Sequence, residues 1–461
     1  MKRFGLVVAG LCVAALAACG GGGNNAAPAG NQASKTNEAP KTNEAPAGNE
    51  TACGGDNGKA EFDAVAARNA AVEKAWGFLK TQYNKAPDPT DRMGLLSGWG
   101  KETNNVPYTA LVLQGLVGTS VWKSDDPMIK DSVEWLLDAQ ETTGAWSYMP
   151  NSDMYKGLRA VYITAIMAQL LVDLNGMDAW KGKLDGKIAL ARDYLKQSQV
   201  GDPEGPAPDY DEKTTGFGGW AYSKEEIAES VDKKGKPPAN MSTTSFAIDA
   251  LHACGVEEGD PLWEKALTFL KRNQNAGEVQ EEGFEAIEKG SGKKIKPAEK
   301  GSPDYGGAIY SEETSMAEGM QENEDGTVTL FSYGSMTYNL LRAYIFAGLK
   351  KDSVPVQLAW GWIQRNYTVE RVPGFRAAAQ YEMGLYYYYL SMARTLDAFG
   401  VDAVEEPDRG LKHDWRGDIV KALSDRQKND GSWINEKHDR WQENSRTLCT
   451  AYALNALRHT K

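Results

Sequence analysis

Histidine is nearly absent from this 461-residue chain: His252, His413, His438 and His459 are the whole complement, and no two form an H-x3-H pair. Cysteine is as sparse, with five residues and neither a C-x2-C nor an Asp-x-Cys spacing. A zinc centre needs clustered ligands and a disulfide scaffold needs many paired thiols, so neither organises this protein. Basic residues are outnumbered, 51 Lys+Arg against 63 Asp+Glu, for a net charge of −12. Nucleic acid and anionic membrane surfaces recruit clustered cations, so neither is the expected partner. The chain also lacks a Gly-x-Ser-x-Gly elbow and a phosphate loop. No metal and no cofactor is expected.

What is present begins with a targeting segment at residues 1–19. Lys2 and Arg3 supply a positive start, residues 5–18 are apolar but too short for a spanning helix, and Leu16-Ala17-Ala18-Cys19 closes the stretch. That run resembles the lipobox of bacterial lipoproteins, which implies cleavage before Cys19 and acylation of it. An ordinary secretory peptide cut near Ala18 is the alternative. Gly20, not Asp, follows the cysteine; in a Gram-negative host the same resemblance implies the outer membrane. The expected partner is a lipid bilayer reached through Cys19, with the protein exported and lipid-anchored in the cell envelope. Residues 20–58 form a low-complexity tether with two Lys-Thr-Asn-Glu-Ala-Pro copies at 35–46. With almost no bulky apolar side chains it cannot offset the entropy of ordering.

Residues 59–461 carry the fold, and they repeat. A hexad appears as FLKTQY (78–83), WLLDAQ (135–140), YLKQSQ (194–199), FLKRNQ (269–274), WIQRNY (362–367) and ALSDRQ (422–427). Gly-aromatic elements follow at Gly98-Trp99, Gly144-Ala145-Trp146, Gly218-Gly219-Trp220, Gly306 to Tyr310, and Gly431-Ser432-Trp433. Each hexad is expected to end a helix with one apolar stripe, as in 128–140, where Ile129, Val133, Leu136 and Leu137 recur at helical spacing. The partner runs 108–117, 161–174, 244–254, 338–349, 385–399 and 447–457 are apolar around most of their circumference, so they are expected to be buried on all sides. Half-wet helices alternating with dry ones predict an all-α fold: an (α/α)6 toroid of six helical hairpins, the dry set inside. Segments 201–240 and 276–331 lack sustained periodicity and are expected as long loops on one face of the ring.

Gln140-Glu-Thr-Thr-Gly-Ala-Trp146 and Gln427-Lys-Asn-Asp-Gly-Ser-Trp433 resemble the QW repeat of squalene–hopene cyclases. The block 427–457 is similar to the prenyltransferase/squalene-oxidase repeat. The resemblance spans most of residues 70–458 and implies a terpenoid-cyclase-like toroid, with the QW residues structural: Gln tying a helix end to the next turn, Gly reversing the chain, the aromatic packing over it. Class II cyclases of that superfamily protonate substrate with a DxDD acid. Here the comparable helix start reads Asn240-Met-Ser242-Thr243-Thr244-Ser245, which holds no acid. The near match Asp209-Tyr210-Asp211-Glu212 lies in the 201–240 loop, which makes Asp209 and Asp211 the candidate acids of a cyclase-like alternative. The protein prenyltransferases of the superfamily need an Asp, Cys and His zinc site, and its spacing is missing.

Whether the chain is an enzyme stays open at this point. The leading expectation is a toroid that binds a hydrophobic, isoprenoid-like small molecule or a protein partner. Its cavity candidates are Trp99, Trp146, Trp220, Tyr305, Tyr310, Tyr333, Tyr338 and Tyr386. Tyr386 opens a run of four tyrosines, 386–389, of which at most two can face a cavity. A carbohydrate-active reading would draw two facing carboxylates from Asp211, Asp304, Glu312, Glu313 and Asp439. Asp414 is expected to N-cap the last outer helix, and 435–441 to bring polar groups to the mouth. Cys254 and Cys449 read as buried hydrophobes, with a disulfide among Cys53, Cys254 and Cys449 left open.

Overall fold

Three of the dry helices start behind a residue whose side chain closes the first turn. Asn105 accepts from the Tyr108 amide, Asn240 from Thr243 and Ser445 from Leu448, each satisfying a donor that the helix start leaves open. The computed structural model describes residues 62–84, 98–100, 105–149, 157–233 and 235–461. The signal segment, Cys19, the tether and Cys53 lie outside the described residues.

Thirteen α-helices follow in order among the described residues: α1 Ala64–Gln82, α2 Val106–Leu116, α3 Pro127–Asp138, α4 Ala160–Asn175, α5 Asp185–Lys196, α6 Lys224–Asp232, α7 Met241–Ala253, α8 Leu262–Arg272, α9 Gly334–Phe346, α10 Val354–Arg365, α11 Leu385–Phe399, α12 Trp415–Arg426 and α13 Arg446–Arg458. Neighbour packing runs α2–α4–α7–α9–α11–α13, and α13 returns to α2, so the inner ring is closed. The outer helices seat on it: α5 between α4 and α7, α12 between α11 and α13, α1 against α13. The fold is an (α/α)6 toroid. Every residue of α2 is buried, whereas α3 buries only Ile129, Ser132, Val133 and Leu136; of the expected stripe, Leu137 is only half-buried. No helix of the described residues is long and apolar enough to cross a membrane.

The repeat motif is a clasp between successive outer helices. Gln140 donates to Gly144 O (3.1 Å) and to Lys187 O on α5 (3.0 Å). Gln199 reaches Gly218 O (2.9 Å) and Leu262 O on α8 (3.0 Å), and Gln274 reaches Gly306 O (3.1 Å) and Pro355 O on α10 (2.9 Å). Gln427 holds Gly431 O and Ala71 O, both at 2.9 Å, which joins α12 to α1. The four glycines take φ of +80 to +90°, a left-handed conformation that a Cβ disfavours. In the fifth hairpin, whose hexad ends in Tyr, the Tyr367 hydroxyl donates to Asp418 on α12 (2.8 Å).

The long connections carry more structure than their irregular sequence predicts. The first holds α6, capped by Ser223 and burying only Ile227, a stripe too narrow to show as periodicity. The second holds a ribbon of β1 Met320–Glu322 and β2 Val328–Leu330, antiparallel with Met320 opposite Leu330. A similar ribbon, β3 Val404–Glu406 with β4 Leu411–His413, lies between α11 and α12. The two long connections do meet: Gly216 N donates to Glu312 and Lys236 pairs with Glu313 (2.5 Å), while Met241 N at the start of α7 donates to Tyr310 O (2.8 Å).

Candidate functional site

The three tryptophans expected to line a cavity are staples. Each indole Nε1 donates to a carbonyl of the outer helix (Trp99 to Leu79, Trp146 to Leu136, Trp220 to Leu195, all at 2.7 Å). Each backbone N–H bonds an inner-helix threonine, Thr109, Thr164 or Thr244, at 3.0 Å. They lie between the two helices of their own hairpin, fully buried. Tyr305 bonds Glu278, Tyr333 packs on Phe375 (5.7 Å) and Tyr338 meets Tyr388 edge-on (5.7 Å), so these too fill space between elements. Within 386–389, Tyr386 points to Ile434 O, Tyr388 to Thr368 O and Tyr389 to Val369 O. Tyr387, not Tyr386, faces the axis.

Around Tyr387 the inner helices converge. Tyr162 of α4 lies 4.9 Å from Phe246 of α7, Phe246 stacks at 6.4 Å on Tyr387 of α11, and Tyr387 meets Tyr452 of α13 edge-on at 5.9 Å. Tyr222 extends this arc toward the mouth, 5.8 Å from Tyr162, and its hydroxyl is 2.9 Å from that of Tyr310. The Tyr387 hydroxyl is shared between Ser242 (3.0 Å) and Asn339 (2.9 Å). Tyr387, Ser242 and Tyr222 all keep accessible surface although they face the ring's interior.

Below the aromatic arc lies charge. Asp249 of α7 accepts from Arg342 Nε of α9 (2.9 and 3.1 Å) and pairs with Arg394 Nη2 of α11 (3.1 Å). Arg394 also donates to Gln169 of α4, which stands opposite α11 in the ring order, so this tier spans the axis. Arg342 finishes on Thr395 (2.9 Å) and Asn339 (3.1 Å). Nearer the C-terminal ends of the inner helices, Arg458 clamps Asp173 (2.6 and 2.8 Å) and His459 bonds Asp397 (2.7 Å). Asp249 and Arg342 are single charges within otherwise apolar stretches of sequence, and nothing in their spacing says that they meet.

Among the described residues, the non-glycine positions with left-handed backbone are Arg159, Glu318, Trp441 and Gln442. All stand in connections leading into inner helices, at the mouth end, where strained conformations tend to serve a site. Arg159 lies 4.5 Å from the Tyr222 ring, and Arg440 bonds Glu318 while lying 4.7 Å from the Trp441 ring. Asn435 holds Glu443 (2.8 Å), which in turn caps α11 through Tyr387 N (2.9 Å). Burial pushes the Glu443 carboxyl up to about 7.

The candidate acids do not gather. Asp209 and Asp211 are exposed, and Asp211 closes a local turn onto Lys213 N and Thr214. Neither has the dry surroundings a protonating carboxyl requires. Asp439 is exposed, Glu313 is taken by Lys236, and buried Asp304 is taken by Arg376 (2.6 Å) and Ser332 N (2.8 Å). Asp414 holds the N-cap position of α12 but makes no capping hydrogen bond. Cys254 and Cys449 are free thiols, both raised by burial.

Glu312 is the exception among the carboxyls. Burial pushes it up to about 8, against the opposing pull of Arg272 and the Gly216 N–H. The folded chain therefore holds a proton that the unfolded chain releases near its ordinary value of 4.5. Stability from this group is present below that value and is lost as pH rises toward about 8, by up to about 1.4 kcal/mol per pH unit. Thermal midpoints should fall across that window in the native chain, and Glu312→Gln should flatten the dependence. An unchanged slope in the variant would assign it to other groups.

No protein-family model matches the chain, and no curated protein matches it in sequence. Solved structures of similar layout include the type II terpene cyclase MstE from Scytonema, 12% identical over 85% of this chain and 97% of that one, TM-score 0.46. Another is the GH76A α-1,6-mannanase from Salegentibacter, 10% identical over 86% of this chain and 100% of that one, TM-score 0.47. An α-amylase from Clostridium perfringens is 12% identical over 85% and 98%, TM-score 0.46. Values this low carry neither substrate nor chemistry across.

Proposed function

We propose that the protein is an exported lipoprotein, anchored in the cell envelope through acylated Cys19, whose toroid binds a largely apolar, isoprenoid-like ligand in an axial well without transforming it. The observation that carries this reading is the arc of Tyr162, Phe246, Tyr387 and Tyr452, contributed by four inner helices and leading to interior groups that retain accessible surface. Aromatic walls with a few placed polar groups suit an apolar body with one polar end. The interior carboxylate of that tier, Asp249, is occupied by two guanidinium groups and does not stand free as an acid.

The full chain, made with its own leader and purified from membranes, should yield an isoprenoid or acyl compound on organic extraction, near one per protein. Tyr387→Trp, which fills the well, should abolish it. Cys19→Ser should move the protein to the soluble fraction and prevent labelling by an alkyne fatty acid. An extract free of apolar compounds would sink the ligand; an unlabelled native chain would sink the anchor.

A further inference from the structure

The charged tier beneath the aromatic arc does not balance. Asp249 supplies one negative charge to two guanidinium groups, Arg342 and Arg394. Arg342 and Asp249 are each 2% exposed, and Arg342 is fully engaged, with Nε on Asp249, Nη1 on Thr395 and Nη2 on Asn339. Arg394 is not. Its Nη2 serves both Asp249 and Gln169, while Nε and Nη1 make no hydrogen bond among the described residues. Its side chain also keeps 11% of its surface accessible. The neighbouring charges are matched elsewhere: Arg458 pairs with Asp173, and Asp397 bonds His459 with its carboxyl 46% exposed, where water screens it. One positive charge is left over at Arg394.

That charge borders the axial well. The Arg394 guanidinium lies 5.4 Å from the Phe246 ring, which stacks on Tyr387. Tyr452, edge-on to Tyr387, has a hydroxyl that makes no hydrogen bond among the described residues. Burial, then the Tyr162 and Tyr387 hydroxyls, raise it well above its ordinary value, so the three hydroxyls share one space. A surplus charge in a dry interior is relieved by a ligand that brings one opposite charge. A carboxylate does so, and as a pure acceptor it suits N–H and O–H donors. A phosphate would bring a second negative charge that no cation answers.

We propose that the ligand of the axial well is a monocarboxylate, its apolar body along the aromatic arc and its carboxylate on the open donors of Arg394. This rests on the reading of the well as an apolar-ligand site and adds the charge of the head. The test titrates the delipidated full chain, near neutral pH, with farnesoic acid, its methyl ester, farnesol and farnesyl phosphate, which share one body. Farnesoate should bind roughly tenfold or more tighter than the ester or the alcohol, the worth of one charge-assisted hydrogen bond. Arg394→Gln, which leaves Asp249 to Arg342, should erase that preference while the ester binds as before, and Arg394→Lys should retain it. Should Arg394→Gln not fold, the ranking in the native chain decides. Equal binding of acid and ester, tighter binding of the phosphate, or a preference that survives Arg394→Gln overturns the proposal and leaves the apolar well standing. Binding of none of the four sinks the well itself, and this proposal with it.

Discussion

Gly218→Ala should unfold the ring more readily than any other single methyl added at the repeat glycines. A Cβ there would sit 1.8 Å from Lys265 O on α8, and the backbone already occupies φ +80°. The left-handed conformation alone costs an alanine roughly 1–2 kcal/mol. The overlap is with backbone and no rotamer relieves it, so α8 must back away from α5. Gln199 then loses its bond to Leu262 O, and the combined loss should be on the order of 4–5 kcal/mol. Gly182→Ala is the control: φ is +67° and nothing lies within 4 Å, so only the conformational cost of about 1–2 kcal/mol applies. Chemical unfolding of the two variants separates strain from contact. Equal losses would mean that the clasp does not depend on close approach of the outer helices.

That contrast marks where sequence reading succeeds and where it stops. The hexads disclosed helix ends because an apolar start and a closing Gln or Tyr recur six times, and the dry helices stood out because whole turns such as Val106–Leu116 carry no charge. The second arm of each clasp was illegible. Gln427 meets Ala71 across 356 residues, a contact that exists only once the ring has shut. Thr109, Thr164 and Thr244 were equally silent, since a threonine in an apolar helix looks like a packing residue until a tryptophan N–H arrives. The aromatic candidates failed for a physical reason: Trp99, Trp146 and Trp220 follow the reversing glycine, and that turn places them between helices and not over the axis. Tyr387 and Tyr386 are adjacent on one helix, and only the helix's rotation against α7 and α13 decides which is inward. A usable signal did exist. Asp249 in Phe246-Ala-Ile-Asp249, Arg342 in Leu340-Leu-Arg342 and Arg394 in Met392-Ala-Arg394 are charges inside otherwise dry helices. Charges so placed are seldom buried without one another.

Asp249→Ala should cost about 3–5 kcal/mol, because it strips the shared carboxylate from Arg342 and Arg394 and leaves two guanidinium groups in the ring's interior. Burial already lowers Arg394 from its ordinary value, with Asp249 the main group opposing that shift. The penalty belongs to the orphaned charges and not to the lost bonds alone. The triple variant Asp249→Leu, Arg342→Met, Arg394→Met should therefore recover most of the stability, since an apolar core of similar volume needs no ion pair. Recovery of stability with loss of the axial ligand would show that the tier is retained for what it holds at the base of the well. A cost below about 1 kcal/mol for Asp249→Ala would instead mean that water reaches both guanidinium groups from the axis. The well would then be wet to its floor, and an apolar ligand could not be its occupant.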